Sequence, residues 1–105
     1  MNNNEIKRIE ALQDRENATI EGVILEVFEP KEITRKTGEA LRLQEVLVDD
    51  GYNSIILTLW ADDINSLKQN ERVRIVNGYV TEYKGNKKIS KGKYGKIEKL
   101  NDKAT

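Results

Sequence analysis

Apolar residues along this chain alternate with polar ones over short runs, and the alternation changes parity at glycines or polar pairs. The clearest run is residues 53–60. Ile55, Leu57 and Leu59 fall on one face, and Ile56, Thr58 and Trp60 on the other. A period of two marks a strand, so the first set is expected in the core and Trp60 outside it. Residues 18–29 are rich in β-branched side chains and are broken by Gly22. Ile20 and Ile24 share one parity, and Val23, Leu25 and Val27 the other. The expected element is a long first strand that bends at Gly22 and serves two packed sheets.

Residues 30–39 form a mostly polar connection with a turn signal at Thr37-Gly38. Residues 40–48 predict a second strand, whose parity changes near Gln44-Glu45, as at a bulge. Asp49-Asp50-Gly51-Tyr52 is a tight turn, because Asp-Gly accepts positive φ. Ala61 to Lys68 predicts a short helix, with Asp62 or Asp63 as its cap and Ile64 and Leu67 on one face. Residues 71–83 predict the fourth strand. Val73 and Ile75 face inward, and a bulge at Asn77-Gly78 turns Val80 inward and Tyr79, Thr81 and Tyr83 outward. Gly85-Asn86 signals a two-residue hairpin, and residues 87–100 the last strand, with Ile89, Ile97 and Leu100 packing. Ile6, Ile9 and Leu12, three apart in residues 1–16, predict a short helix or capping segment. The expected layout is a capping segment at 1–16, the folded domain at 17–100 and a tail at 101–105.

Three strands, a short helix and two more strands fit a small all-β fold: a five-stranded antiparallel barrel, the oligonucleotide/oligosaccharide-binding (OB) fold. A β-sandwich would need about seven strands and more length. The 105 residues suffice for one such domain.

Composition narrows the chemistry. No Cys or His occurs. That excludes the usual zinc sites, disulfide scaffolds, Cys nucleophiles and His-dependent triads. No loop has calcium-ligand spacing, so neither metal nor cofactor is expected. Gly92-Lys93-Tyr94-Gly95 lacks phosphate-loop spacing, and no Gly-x-Ser-x-Gly elbow exists. The carboxylate pairs Asp49/Asp50 and Asp62/Asp63 are explained by turn and cap roles. No enzymatic activity and no catalytic residue is expected. No window approaches 18 apolar residues, and the polar start Met1-Asn2-Asn3-Asn4-Glu5 is unlike a secretory signal. The expected setting is cytoplasmic, away from any membrane.

Charge is zero in sum, with 18 basic and 18 acidic residues. It is not even in distribution: residues 84–103 hold eight Lys and two acids, a surplus of six. Such a segment is either a solvated edge that blunts strand pairing or a phosphate-contacting face. The outward aromatics Trp60, Tyr79 and Tyr83 favour the second. Rings beside cations hold single strands, because bases stack on rings while Lys and Arg follow the phosphates. The alternative is that the rings close the barrel or cover an apolar patch. Tyr94 could stack or pack on the barrel end; Phe28 suits core or rim, and Tyr52 a turn shield. Arg35 and Lys36 either clamp phosphate or keep a loop soluble, while Arg42 and Arg74 are candidates of uncertain face.

Two stretches carry a family resemblance: Leu57-Thr-Leu-Trp60, and Asn77-Gly-Tyr79 followed by Tyr83-Lys-Gly85. They resemble the single-stranded-DNA-binding barrels of archaeal replication protein A and related short single-stranded-DNA-binding proteins. The likeness runs over about residues 6–100. Lys91-Gly-Lys-Tyr-Gly-Lys-Ile97 is similar to that family's last strand, whereas Asp50-Gly51-Tyr52-Asn53 departs from its usual second hairpin. The resemblance implies stacking by Trp60, Tyr79 and Tyr83. With it go Tyr94 and phosphate contacts from Lys84, Lys87, Lys88, Lys91, Lys93, Arg35, Lys36 and Arg42. It implies single-stranded DNA as partner, little sequence preference, a nucleoid-associated role in replication, repair and recombination, and further OB domains in the same or partner chains. A protein-interaction module and an RNA-binding barrel are the competing expectations.

Overall fold

The computed structural model describes residues 5–100. Its strands are β1 (Asn17–Val27), β2 (Lys31–Thr34), β3 (Ala40–Asp49), β4 (Ser54–Trp60), β5 (Arg72–Tyr83), β6 (Asn86–Ser90) and β7 (Lys96–Leu100). Five of them close a circuit: β1 pairs β3, β3 pairs β4, β4 pairs β6, β6 pairs β5, and β5 returns to β1. This is the expected OB barrel with two additions. β2 extends β3 as a hairpin, and β7 adds to the outer edge of β5. The β4–β6 pair is parallel, so the barrel is not wholly antiparallel.

Closure depends on β1, which is shared. Its first half pairs with β5 through Val23, and from Val23 onward it pairs with β3. The handover is tight. A Cβ on Gly22 would lie 2.5 Å from the Asp49 carbonyl oxygen and 2.8 Å from Val48 Cγ1. Only glycine leaves room for both neighbours, which explains the bend at this residue.

The core follows the alternation. Ile20, Ile24, Val46, Val48, Leu57, Leu59, Val73, Ile75, Val80 and Ile89 are buried inside. Leu25 and Val27 belong to no second sheet and stay partly exposed. The bulge at Asn77 is present: Asn77 has φ +54° and its N–H donates to the Thr19 hydroxyl at 3.0 Å. Ile9 and Leu12 are buried against the barrel from a 3-10 turn, Ile9–Ala11, whereas Ile6 remains exposed.

Several expected elements differ. The helix over 61–68 is only a 3-10 turn, Ala61–Asp63, with no side-chain cap. Asn65, at φ +66°, ends it and gives its N–H to Gln44 Oε1 at 2.8 Å. Gln44 in turn donates to the Phe28 carbonyl at 3.0 Å and to Asn65 Oδ1 at 3.2 Å. The parity change at Gln44-Glu45 is therefore no bulge, for β3 and β4 pair without interruption. Gln44 is an inward polar residue whose amide is fully occupied, which makes its burial tolerable. The register shift lies instead in β1, between Ile24 and Glu26. The expected last strand is two strands separated by a turn. The hairpin before it turns on Lys84-Gly85, one residue early, with both residues at positive φ as a tight hairpin requires. The expected tail at 101–105, with Asp102 and Lys103, lies outside the described residues, as do Met1 to Asn4.

Asp50 ties the N-terminal segment to the β3–β4 turn. Its carboxylate accepts the N–H groups of Ile9 (2.7 Å), Tyr52 (2.9 Å) and Asn53 (2.8 Å). Burial opposes the charged form, but these donors and Arg8 outweigh it and hold the pKa below the usual aspartate range. This stability is present above the unfolded-state pKa and is lost as pH falls through the folded one. Asp50→Asn is expected to cost about 0.5–2 kcal/mol at neutral pH. The difference from wild type should shrink below about pH 4, as read by urea titrations across pH. Gly22→Ala should destabilise the fold by about 1–3 kcal/mol, read as a lower urea midpoint with little change in the denaturant slope.

Candidate nucleic-acid interface

Cross-strand pairing sorts the outer surface of β3, β4, β5 and β6 into rows. Leu47, Ile56, Lys88 and Thr81 form one row; Glu45, Thr58, Ser90 and Tyr79 form the next. Beyond them Trp60, Leu43 and Lys31 form a third, and Ile33 with Leu41 continues onto the hairpin. Paired residues share a face, so the parity that buries Leu57 and Ile89 displays these. Between them runs an open groove of about 390 Å³ lined by Lys31, Leu43, Glu45, Thr58, Trp60 and Lys88 among others.

Trp60 lines this groove, and Tyr79 lies next to it, paired with Ser90 of its lining. The two rings are two strands and one row apart, about 12 Å by strand spacing and rise. Each ring is partly seated, at 40% and 37% exposure, so part of its surface is open to a ligand. Leu43, paired with Trp60, is buried in the groove. Gly92 supports Tyr79 from the β6–β7 turn, where a Cβ would approach Tyr79 Cβ to 3.2 Å. Tyr83 is on the same parity at the far end of β5, about 13 Å from Tyr79, and is largely exposed. Lys84 lies over its ring, 5.3 Å from the centroid.

The expected cations do not all converge. Lys88 lies in the groove, with Nζ 2.7 Å from Glu45 Oε2. Lys91 borders an adjoining hollow beside Trp60 and pairs with Asp63 at 3.2 Å. Lys93 and Tyr94 project from the β6–β7 turn, the ammonium 5.5 Å from the ring centroid. Arg35 and Lys36 sit at the exposed tip of the β2–β3 hairpin, beyond the Trp60 row. Exposed ion pairs of this kind contribute under about 1 kcal/mol, so a phosphate can compete with the carboxylates for these lysines.

Three candidates point elsewhere. Arg42 pairs with Glu32 on the opposite side of the hairpin from Lys31 and Leu43. Lys87 shares the inward parity of Ile89, and its ammonium is hydrogen-bonded to the Leu12 carbonyl. Arg74 lies over β1, β5 and β7, clasped by Glu21 at 2.6 Å and Glu98 at 3.5 Å, which raise its pKa. Tyr52 is stacked under the Arg8 guanidinium at 3.8 Å, at the end of β3 and β4 away from Trp60. Phe28 is exposed past the end of β1.

Lys31, Leu43, Thr58, Thr81 and Ser90 also line the groove and did not stand out in the chain. The local alternation of Lys31 and Ile33 around Glu32 was the available signal for the hairpin strand. Among the described residues no cluster of acidic side chains could hold a metal ion, and no helix is long and apolar enough to cross a membrane.

In barrels of this type, the surface of the second and third barrel strands, here β3 and β4, is the usual oligonucleotide platform. Residues 16–99 match the family described as single-stranded DNA binding protein Ssb-like, OB fold. The chain belongs to this family. The curated single-stranded DNA binding protein Ssb of Saccharolobus solfataricus is 30% identical over 79 residues, covering 75% of this chain and 53% of that protein. This chain thus spans about half the length of the curated relative. The second OB-fold domain of replication protein A from Methanococcus maripaludis superposes with a TM-score of 0.68 at 25% identity, covering 82% of this chain and 88% of that one. The replication factor A related protein of Methanobacterium thermoautotrophicum gives 0.74 at 17% identity, over 92% of each chain, which shows the shared fold. The expected likeness to archaeal replication protein A barrels is borne out.

Proposed function

We propose that this chain binds single-stranded DNA, largely without sequence preference, along the outer surface of β3, β4, β5 and β6. The observation that carries the reading is a half-open Trp60 lining a groove floored by hydroxyls and an apolar patch, with half-open Tyr79 beside it on the same outer face. Bases stack on these two rings, and Tyr83 takes a further base at the far end of β5. Thr58, Thr81 and Ser90 offer hydrogen bonds to any base, and Leu43 gives an apolar floor. This suits binding by stacking rather than by reading base edges. Lys31 and Lys88 contact phosphates within the groove. Lys84, Lys91, Lys93, Arg35 and Lys36 act around its margins, with Tyr94 on the β6–β7 turn. Arg42 and Lys87 have no place in this path.

On this reading the chain protects exposed strands during replication, repair and recombination, in a nucleoid-associated setting. Further OB domains, in the same or partner chains, would lengthen the bound strand.

Titration with oligo-dT should quench Trp60 fluorescence, and added salt should reverse it. Trp60→Ala should weaken binding by about 1–3 kcal/mol, with the salt dependence unchanged. A folded Trp60→Ala protein that binds as tightly as wild type overturns the stacking model. Lys88→Ala should instead reduce the slope of log K against log salt by about 0.7. Arg74→Ala, on the β1–β5–β7 surface, should leave that slope as it is.

A further inference from the structure

Glu45 sits where a strand-binding surface would least be expected to carry an acid. It shares a row with Thr58, Ser90 and Tyr79 in the groove floor. One carboxylate oxygen accepts from Lys88 Nζ at 2.7 Å, and the other lies 3.9 Å from Lys31 Nζ. Its side chain is 20% exposed, against 48% for Lys88 and 59% for Lys31. The carboxylate thus lies deeper than the two ammonium groups and between them.

We propose that Glu45 is an internal rival of the nucleic-acid phosphate for Lys31 and Lys88, and that it restricts the groove to polyanions that also offer unpaired bases. The inference rests on the strand-binding reading above. A phosphate that reaches Lys88 comes close to Glu45, and like charges about 5 Å apart repel measurably even in water. A single strand offsets this by stacking on Trp60 and Tyr79. Duplex DNA has no free base faces to offer, and its phosphates are more densely spaced. The carboxylate therefore disfavours the duplex more than the single strand. This is selection by an unfavourable element, and it reduces affinity for the correct ligand as well.

The test compares wild type with Glu45→Gln, which keeps the shape and removes the charge. Glu32→Gln is the control for net charge, because Glu32 lies on the opposite side of the hairpin. Glu45→Thr, which imitates its row neighbour Thr58, is the second variant. Both Glu45 variants should bind oligo-dT about threefold to tenfold more tightly at low salt, with the salt slope steeper by about 0.7. Duplex of the same length should gain more, so that the preference for single strands narrows. Glu32→Gln should change little. Unchanged affinity and slope in both Glu45 variants overturn the inference, while wild-type binding to oligo-dT leaves the functional reading intact. Weakened binding of oligo-dC alone also overturns it, because Glu45 would then be an acceptor for a base amino group. Wild-type protein that binds neither single strand nor duplex removes the functional reading and this inference together.

Discussion

Everything on the binding surface depends on how β1 closes the barrel. One strand must serve two neighbours, β5 and then β3, and the change takes place at a residue where the Asp49 backbone leaves no space for a side chain. Closure removes most free edges and gives every strand of the circuit an inside and an outside. The inside is filled by Ile, Leu and Val from all five strands. The outside then becomes a set of rows in which distant residues meet. A flat, open sheet of the same segments would bury neither set.

Two polar anchors hold the irregular parts to this barrel. Gln44 uses its amide to bind both the end of β1 and the loop after β4. Asp50 uses its carboxylate to hold the N-terminal segment across the β3–β4 turn. Gln44 and, at Ile9, Asp50 answer backbone groups that would otherwise be unsatisfied near the core, where an unpaired group costs about 1–3 kcal/mol. With the loop after Trp60 tied down, the ring at the end of β4 has a defined position beside the groove.

The electrostatics of the groove are balanced rather than basic. Lys88 and Lys31 share Glu45, and Lys91 meets Asp63. These three lysines face two carboxylates, so only a small positive excess remains at the site. A surface of this kind relies on ring stacking more than on attraction to phosphate, and that favours ligands with free base faces. The Lys-rich end of the chain divides accordingly. Lys88 enters the groove, Lys91 stands at its margin, Lys87 turns back to the N-terminal segment, and Lys96 pairs with Glu98 beside Arg74.

Alternation along a strand is a local property of the backbone, so much was legible from the residues in order. Ile55, Leu57 and Leu59 had to face opposite to Trp60. The Asn77-Gly78 pair allowed the bulge that sends Val80 inward and Tyr79 outward. Gly22 marked the bend. Other features were hidden because their cause lies far away in the chain. Gln44 looked like a break in the pattern until Asn65 and Phe28 were brought against it. The segment after Trp60 had helical spacing but yielded to those same bonds. Arg42 and Lys87 had suitable chemistry and the wrong parity, which depends on register with β2 and β5. The sequence by itself determined most of the buried set and the exposed rings, because a two-residue period needs no partner to be read. Only the tertiary structure decided which charges stand beside those rings. Glu45 and Lys88 are 43 residues apart, and nothing short of closing the barrel brings them together.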